Sequence, residues 1–403
     1  LFMPIKHKIK KSFQKKIKTL KLKKRVCPVC NSVKRTKILD INNWKKIDSK
    51  GNIYLIDKRY CLCKSCDLVY TNPTVNPVIF DKLYENSIVG SFTNQKSIKN
   101  KKKTLTFDAI SKKFIKKNIN ILEVGCGSGI MLKHLHQKYG FKKKYLNGIE
   151  PSKEIFKTLK SNKSFEIQNI FLSDIDDKKK YDLIIMDNVF EHFEYPKKSL
   201  IKISKILSSN GLIYISIPNS EKIKNLNNDP FNHTCNYNLD NIRILLNNHN
   251  FKIMKFNKNL NQINLIAKRN SNKLLKFKNN KNFIKKLKAK IKKVKIDIKN
   301  LNYKIKKIRR LIISKNKKLV IFGAGNYSLW ILDLLKLNRY IKYGVDNNSI
   351  YHNKIRNNIM ILNPAKLVKK DYDFILVLSA AFKKVISKQI IKMKIEKNKI
   401  LTF

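Results

Sequence analysis

The stretch Ile121-Leu122-Glu123-Val124-Gly125-Cys126-Gly127-Ser128-Gly129 decides the fold class of the central part of this chain. Three of its first four residues are apolar, a short stretch of the kind that makes a buried strand. Its second half has a glycine at every other position, and glycine lets a ligand approach the backbone closely. A strand that enters such a loop and leaves it as a helix predicts the first βα turn of a doubly wound sheet, where ligands bind.

The sequence around this loop alternates between strand and helix patterns. We predict strands at Ile119–Val124, Tyr145–Ile149, Leu183–Met186 and Leu212–Ile217, with helices between them that include Ile130–Lys138 and Leu200–Leu207. This alternation is typical of a parallel α/β sheet. Glu150 follows the second strand, where its carboxylate can accept hydrogen bonds from both hydroxyls of a ribose. A nicotinamide cofactor and an adenosyl cofactor would both use such an acid.

The loop spacing separates these two cofactors. The pattern E-x-G-x-G-x-G resembles the first motif of class I S-adenosylmethionine-dependent methyltransferases more than the dinucleotide fingerprint G-x-G-x-x-G. The stretches 181–192 and 207–219 resemble later motifs of the same superfamily, and the resemblance covers about residues 104–268. It implies that Glu123 and the glycines hold the amino-acid part of S-adenosylmethionine, with Asp187 and Asn188 beside its methionine end. The residues that we expect to bind the cofactor are Glu123, Gly125, Cys126, Gly127, Gly129, Glu150, Asp187 and Asn188. The stretch 165–169 departs from the family because it lacks the Asp that relatives often place near the adenine.

Two cysteine pairs precede this region. Cys27-x-x-Cys30 and Cys63-x-x-Cys66 are knuckles that can each present two thiolates, and four thiolates complete the tetrahedral coordination of a structural Zn²⁺. Cys61 is an alternative to Cys63, and unligated cysteines in a small core are the alternative to a metal site. The chain has seven cysteines, and their pairing fits metal binding in a reducing cytoplasm better than a disulfide framework.

The order of these parts resembles the sugar C-methyltransferases, which methylate a carbon next to a ketone in nucleotide-linked deoxysugars. We predict an α/β protein with a class I methyltransferase Rossmann-like core, an N-terminal zinc-binding segment, a long linker helix and a second, C-terminal Rossmann-like unit. The predicted parts are a basic tail (1–26), a zinc-binding domain (27–100), the methyltransferase core (104–268), an amphipathic linker helix (277–315) and the C-terminal domain (318–403). The last domain has a turn at Gly323-Ala324-Gly325 but lacks the lysine that this family carries shortly after it.

Methyl transfer to carbon needs a base that removes a proton next to the ketone. His233 is our first candidate, because it lies after the fifth strand, where the superfamily carries a histidine-containing stretch. Tyr237 and His192 are the next candidates. A capping or packing role is the alternative for His233. An O- or N-methyltransferase of another small molecule, which needs no such base, is the alternative to the sugar enzyme.

The net charge of +62 suggests nucleic-acid binding. The excess is mostly lysine, spread over the whole chain together with many Asn and Ile, so we attribute it to genome composition. A zinc-knuckle nucleic-acid-binding protein is therefore the weaker alternative to a cytoplasmic methyltransferase with a small-molecule substrate. No apolar run reaches the about 18 residues that a membrane span needs, while a peripheral contact with an anionic membrane stays open.

A heptad pattern follows the core. Its apolar positions are Ile284, Leu287, Ile291, Val294, Ile298, Leu301, Ile305, Ile308 and Ile312, which predicts a helix with one apolar stripe. Lysines such as Lys288, Lys290 and Lys295 flank the stripe and would repel one another in a parallel homodimer. We therefore expect the stripe to pack on its own protein, with an acidic helix or a membrane surface as alternatives. The sequence leaves the oligomeric state open.

Overall fold

The computed structural model describes residues 17–20, 22–48, 52–86, 98–221, 233–258, 261–270, 275, 280–367, 371–379 and 382–403. The chain divides into two compact units. The larger unit comprises Lys21–Trp44, Asp57–Lys315 and Phe403, and the smaller unit comprises Leu1–Leu20, Lys45–Ile56 and Asn316–Thr402. In the part of the chain that the structure describes, no helix combines the length and the apolar character that crossing a membrane requires.

The N-terminal part consists mainly of strands. Its elements are β1 (Ile17–Thr19), β2 (Leu22–Lys23), β3 (Arg35–Ile47), β4 (Ile53–Cys63), β5 (Val69–Thr71), β6 (Thr74–Val75) and α1 (Pro77–Glu85). β3 and β5 both pair with β4, and β5 runs antiparallel to it. Asn76 caps the start of α1, because its side chain accepts a hydrogen bond from the Val78 amide, and Pro77 occupies the first helical position, where its missing N–H costs nothing.

The prediction of a basic tail over residues 1–26 is wrong for the part that the structure describes. β1 pairs with the start of β4, and β2 pairs with β6. Arg25 donates hydrogen bonds to three backbone carbonyls of distant residues. Paired backbone groups and a bound guanidinium fix this segment, because each bond satisfies a polar group that a solvated tail would leave to water. Residues 1–16 and Lys21 lie outside the described residues.

The core of the larger unit is a seven-stranded sheet between two layers of helices. Its elements, with one short strand of the N-terminal sheet, are α2 (Ile98–Ser111), β7 (Ile121–Val124), α3 (Ile130–Tyr139), β8 (Leu146–Ile149), α4 (Lys153–Leu159), β9 (Glu166–Gln168), β10 (Tyr181–Asp187), α5 (Pro196–Ile206), β11 (Leu207–Pro218), β12 (Cys235–Asn236), α6 (Leu239–Asn247), β13 (Phe251–Lys258) and β14 (Gln262–Arg269). The strand order is β13-β14-β11-β10-β7-β8-β9; β14 runs antiparallel to both of its neighbours, and all other neighbouring strands are parallel. β12 pairs with β5 instead.

The direction of the strand order reverses at β7, which lies between β8 and β10. Ligands of open α/β sheets bind beyond the carboxyl ends of the strands at this switch point. All four residues of β7 are buried, as expected for a strand that is covered on both faces. The four strands predicted from the sequence are confirmed, with ends that differ by a few residues. The glycine loop therefore lies at the position where a ligand is expected.

A single helix of 34 residues, α7 (Lys281–Ser314), follows the core and agrees with the helix predicted over 277–315. Phe283, Leu287 and Val294 of this helix share a core cluster with residues of β3, β4 and β5. The expectation that the apolar stripe packs on its own protein is thus confirmed for the first half of the helix.

The smaller unit contains a six-stranded sheet. Its elements are β15 (Leu319–Phe322), α8 (Asn326–Leu335), β16 (Ile341–Val345), β17 (Lys354–Arg356), β18 (Ile359–Leu362), β19 (Phe374–Val377), α9 (Lys383–Lys392) and β20 (Ile400–Thr402). The order is β17-β18-β16-β15-β19-β20, and all neighbours are parallel except β17 and β18. This arrangement has the α/β alternation predicted for residues 318–403, while a Rossmann-like unit there stays a prediction.

Candidate functional site

The glycine loop after β7 has a backbone that only glycine adopts without strain. Gly125, Gly127 and Gly129 have φ angles of 62°, 54° and 69°. A Cβ atom at Gly125 would lie 2.8 Å from Val189 Cγ2, and one at Gly129 would lie 2.4 Å from Phe165 Cζ. Beside Gly127, no atom of the described residues lies within 4 Å of a Cβ position. The outer two glycines therefore permit close packing, and the middle one faces open space.

Glu150 closes the loop from the end of the neighbouring strand. One carboxylate oxygen, Oε2, accepts a hydrogen bond of 3.0 Å from the Gly127 amide, and Oε1 accepts one of 2.9 Å from the Ser152 amide. The side chain is buried, and this burial raises the pKa of the carboxyl to about 7. The predicted ribose ligand thus lies beside the middle glycine of the loop.

A cavity of about 280 Å³ opens next to the loop, near the lower limit of about 300 Å³ for small-molecule sites. Gly125 lines it, together with Ile149 at the end of β8 and with three apolar side chains that follow β9, namely Ile170, Phe171 and Leu172. Phe80 and Tyr84 of α1 form another part of the wall. The N-terminal segment therefore contributes directly to the cavity. The Asp that relatives often place near the adenine has no acidic counterpart at Asn169. The side-chain amide of Asn169 instead donates hydrogen bonds to the backbone carbonyls of Glu150 and Pro151.

A group of charges lies at the ends of β7 and β10. Lys103 of α2 donates a hydrogen bond of 2.6 Å to Asp187, and Asn188 donates one of 2.8 Å to the other oxygen of the same carboxylate. Glu123 is buried, and burial, followed by the charge of Asp187, raises the pKa of its carboxyl well above the usual value. The sequence predicted the two acids and the asparagine but not the lysine.

Two predicted histidines meet a third residue at the edge of the cavity. One carboxylate oxygen of Glu191 and one ring nitrogen each of His192 and His233 lie within 4.8 Å of one another. The centroids of the two imidazole rings are 4.9 Å apart, in an edge-to-face arrangement. His192 lines the cavity. Burial raises the pKa of the Glu191 carboxyl to about 8, and burial, with the charge of His192 next, lowers the pKa of His233 well below its usual value.

The backbone around Thr234 places His233 in this group. The Thr234 amide donates to the Glu191 carbonyl at 3.1 Å, and the Thr234 carbonyl accepts from the Thr71 amide at 3.1 Å and from Arg25 at 2.9 Å. Arg25 also donates to the carbonyls of Thr71 and Glu194. The N-terminal segment thus holds the loop that carries His233 against the turn that carries Glu191 and His192.

Two predicted site residues lie in the core. The ring of Tyr237 is fully buried and packs 5.5 Å from the ring of Phe190. Cys126 is also buried, and its Sγ atom lies 2.9 Å from a Cβ position at Gly148. These contacts indicate packing roles for both side chains, although the backbone of Cys126 remains part of the glycine loop.

The four paired cysteines form one cluster. The Sγ atoms of Cys27 and Cys66 are 3.6 Å apart, those of Cys30 and Cys63 are 3.4 Å apart, and all four lie within 4.8 Å of one another. Sulfur atoms about 2.3 Å from a tetrahedral Zn²⁺ are about 3.8 Å apart, so the spacing fits such an ion. Cys61 lies outside the cluster and directs its thiol to the Asn72 carbonyl. Cys63 is therefore the fourth member, as first expected.

Three parts of the site were missed from the sequence. Glu191 was noticed only as the neighbour of His192, and Arg25 was assigned to the tail. Lys103 lies among other lysines in Lys101-Lys102-Lys103, which gave no signal for one of them. The adjacent Glu-His pair was the signal that could have drawn attention to Glu191.

Comparisons with known protein families match two regions of this chain. A family model described as a methyltransferase domain matches residues 98–255, and one described as C2185-like, N-terminal, matches residues 315–401. A curated relative, the mitochondrial ubiquinone biosynthesis O-methyltransferase of Candida albicans, is 27% identical over 114 residues, which are 26% of this chain. The matched part spans only 34% of that relative's length.

Solved structures resemble the chain weakly. The plantazolicin methyltransferase BpumL, solved with SAH and a monoazolic desmethylPZN analogue, is 19% identical, with a TM-score of 0.36, and the match covers 42% of this chain and 83% of that protein. The PH0226 protein of Pyrococcus horikoshii OT3 is 16% identical with a TM-score of 0.37, and the match covers 45% of this chain and 96% of that protein.

The family match spans β7 to β11, the glycine loop and Glu150. Residues 98–255 therefore match the methyltransferase domain family.

Proposed function

We propose that the chain is an S-adenosylmethionine-dependent methyltransferase that acts on a small molecule. The observation that carries this proposal is the position of Glu150, whose carboxylate accepts the Gly127 amide at the switch point of the sheet, next to an apolar cavity. A carboxylate at this place suits two ribose hydroxyls, and the open space at Gly127 suits a ligand in contact with the backbone.

The neighbouring residues divide the cofactor between them. The apolar side chains Ile170, Phe171 and Leu172 suit an adenine ring, since they form the wall beyond β9. Glu123, Asp187 and Asn188 suit the methionine end, where a positively charged ammonium and sulfonium meet buried acids. The backbone of Gly125 to Gly129 runs between these two ends.

Methyl transfer is an in-line displacement, so the enzyme mainly positions donor and acceptor. We assign the acceptor to the side of the cavity at which His192 lies, because His233 and Glu191 also meet there. In this proposal the group removes or stabilises the proton of the acceptor, with His233 as the first candidate base and His192 as the second. Tyr237 is the weakest candidate, because its ring is fully buried.

A nucleotide-linked keto-sugar, or a related glycan precursor, is the acceptor that we propose. The supporting observations are the order of cysteine segment, methyltransferase domain, long helix and C-terminal α/β unit, and the presence of candidate bases. An O-methyltransferase is the second candidate, favoured by the name of the curated relative.

We also propose that Cys27, Cys30, Cys63 and Cys66 hold a structural Zn²⁺. The spacing of the four sulfur atoms supports it, and an ion offsets the cost of four thiolates packed together in a mostly buried site. The cysteines form no disulfide bonds among the described residues, and thiolates that bind a metal are typical of a reducing compartment such as the expected cytoplasm.

Calorimetric titration with S-adenosylhomocysteine tests the cofactor. We expect Glu150→Ala to weaken binding by at least about 100-fold, because two hydrogen bonds to a charged group contribute about 1.5–3 kcal/mol each, or about 3 kcal/mol or more together. Asp346→Ala is the matched control, since Asp346 accepts an amide at the glycine turn of the smaller unit, and it should change affinity less than about twofold. Equal losses in both variants, or a preference for NADH over S-adenosylhomocysteine, would contradict the proposal.

Methyl-labelled S-adenosylmethionine tests the acceptor. The chain is incubated with a panel of nucleotide-linked keto-sugars and, separately, with catechols, and product masses and the methylated atom are determined. A carbon-methylated sugar supports the first acceptor class, and an oxygen-methylated catechol replaces it with the second. Cofactor binding without transfer to either panel would leave both acceptor assignments wrong.

A further inference from the structure

We propose that Glu191, His192 and His233 bind a divalent transition-metal cation at the acceptor side of the cavity. The site is separate from the cysteine cluster and uses nitrogen and oxygen ligands. The role of the ion in methyl transfer rests on the proposed function, whereas the binding of the ion follows from the three side chains alone.

The spacing of the ligand atoms supports an ion between them. The three atoms lie within 4.8 Å of one another, yet neither carboxylate oxygen of Glu191 has a hydrogen-bond partner among the described residues. A carboxylate that only oriented a histidine would be hydrogen-bonded to it. Ligands about 2.0–2.2 Å from one metal ion lie about 3–3.5 Å apart, which agrees with atoms that converge without direct bonds.

Burial makes the arrangement costly without a cation. Glu191 is 2% exposed, and a buried carboxylate without partners loses its hydration with no compensation. The Nδ1 atom of His233 is also buried and has no partner among the described residues. The nearest charges include Asp187 and Lys103, and Lys103 already binds Asp187. A divalent cation at the cluster satisfies the buried carboxylate and the unpaired ring nitrogen together.

The donor set indicates the class of cation. Two imidazoles and one carboxylate with further positions open form the facial triad typical of Fe²⁺, and imidazole also suits Zn²⁺. The carboxylate additionally accommodates Mn²⁺. Mg²⁺ and Ca²⁺ prefer all-oxygen ligands, so we expect them to bind weakly. The soft thiolates of the cysteine cluster select Zn²⁺ instead.

The scaffold holds the ligands before an ion binds. Glu191 and His192 lie in one short turn, and the Thr234 amide bonds the Glu191 carbonyl next to His233. Arg25 fixes the Thr234 carbonyl from the other side. Ligands that are positioned in advance lose less conformational entropy on binding, which favours affinity.

The open positions of the ion suit an oxygen of the acceptor, since His192 lines the cavity. With the ion bound, His192 and His233 would act as its ligands and not as the bases considered above, and a bound hydroxyl or enol would lose its proton to solvent more readily on such a Lewis acid. The acceptor's electron pair then forms the new bond to the methyl carbon, while the pair of the breaking S–C bond returns to sulfur and gives S-adenosylhomocysteine. No oxidant or reductant is needed.

Mn²⁺ binding, followed by the electron paramagnetic resonance signal of the free ion, tests the site in the full chain saturated with S-adenosylhomocysteine. Mn²⁺ is the probe because it binds thiolates poorly. We expect one Mn²⁺ per chain, and a loss of affinity of more than about tenfold in Glu191→Gln and in His233→Ala. Zn²⁺ should displace Mn²⁺, and Mg²⁺ should not compete at equal concentration.

His134→Ala is the matched control, because His134 already bonds Asp108 at 2.8 Å in another imidazole–carboxylate pair. It should keep Mn²⁺ affinity within about twofold. Retained S-adenosylhomocysteine binding shows that each variant is folded. Unsaturable Mn²⁺ binding, or unchanged affinity in both folded cluster variants, would overturn the metal site and leave the methyltransferase proposal intact. Saturable Mn²⁺ binding without any S-adenosylhomocysteine binding would support the metal site and contradict the methyltransferase proposal.

Discussion

The glycine loop of the larger unit and the glycine turn of the smaller unit are built in the same way. In each, a buried strand enters the turn, and an acid at the end of the next strand accepts a turn amide. Gly127 donates to Glu150 at 3.0 Å, and Ala324 donates to Asp346 at 2.7 Å. In both carboxylates the second oxygen accepts the amide two residues later in the chain. The acid–amide contact is therefore shared by both turns, and it supports a cofactor site only in combination with the cavity next to Glu150.

The surroundings distinguish the two turns. All three glycines of the loop have positive φ angles, and a cavity opens at Gly125. In the smaller unit Gly323 has a φ of 110°, while Gly325 has an ordinary φ of −68°. The cofactor proposal thus depends on the cavity and on the buried acids near β7. The same motif in the smaller unit carries no cofactor proposal.

Alanine at the last glycine of each turn should separate the two regions most strongly. Gly129→Ala introduces a Cβ 2.4 Å from Phe165 at a positive φ, whereas Gly325→Ala meets no described atom within 4 Å. We expect Gly129→Ala to lower the free energy of unfolding by about 3 kcal/mol, from backbone strain and overpacking. Gly325→Ala should be neutral or stabilising by up to about 1 kcal/mol.

Urea denaturation measures both variants, and peptide-resolved hydrogen exchange locates the weakened unit. Faster exchange is expected in the peptides around residues 121–139 for the first variant only. A similar loss of stability in Gly325→Ala would mean that the two turns are equally constrained, against the difference described above.

Removing Arg25 should affect the acceptor side of the larger unit and leave the glycine loop intact. Arg25→Ala deprives the carbonyls of Thr71, Glu194 and Thr234 of a donor, at a cost of about 2 kcal/mol in unfolding free energy. Because the Thr234 backbone positions His233, we expect Mn²⁺ affinity and turnover to fall about tenfold, with S-adenosylhomocysteine affinity unchanged.

Arg59→Ala is the control for loss of an arginine in the same segment. Arg59 makes an exposed ion pair with Asp40, and water screens such pairs so that they contribute little to stability. Equal effects of the two substitutions, or an Arg25→Ala variant with unchanged turnover, would show that the N-terminal segment does not position the histidine.

Local patterns of the sequence were sufficient to predict the fold of the core. Ile121 to Gly129 form a strand and a turn whose apolar and glycine spacing depends only on neighbouring residues. The paired cysteines were likewise found from their spacing, although the choice between Cys61 and Cys63 needed the direction of each side chain.

The missed residues depend on contacts between distant parts of the chain. Arg25 binds carbonyls that are 46, 169 and 209 residues away, so no local pattern distinguishes it from the lysines beside it. Glu191 is important because it is buried without a hydrogen-bond partner among the described residues, and burial of a carboxylate depends on the packing of several segments. The burial of the Tyr237 ring could not be predicted from local sequence for the same reason.

The smallest expected effect concerns the charge of Glu150, whose counterpart in the smaller unit is Asp346. Burial raises its pKa to about 7, and a ribose hydroxyl donates best to the ionised carboxylate. The ionised fraction rises about tenfold between pH 6 and pH 8 for a pKa of about 7, so the affinity for S-adenosylhomocysteine should rise by up to that factor and then level off. Glu150→Gln, which has no charge to lose, should bind weakly with a flat profile over this range.

Calorimetric titrations at several pH values provide the comparison, with Asp346→Asn expected to keep the wild-type slope. A slope that persists in Glu150→Gln would assign the titration to another group and would leave the contact between Glu150 and Gly127 with the purely structural role that its counterpart has in the smaller unit.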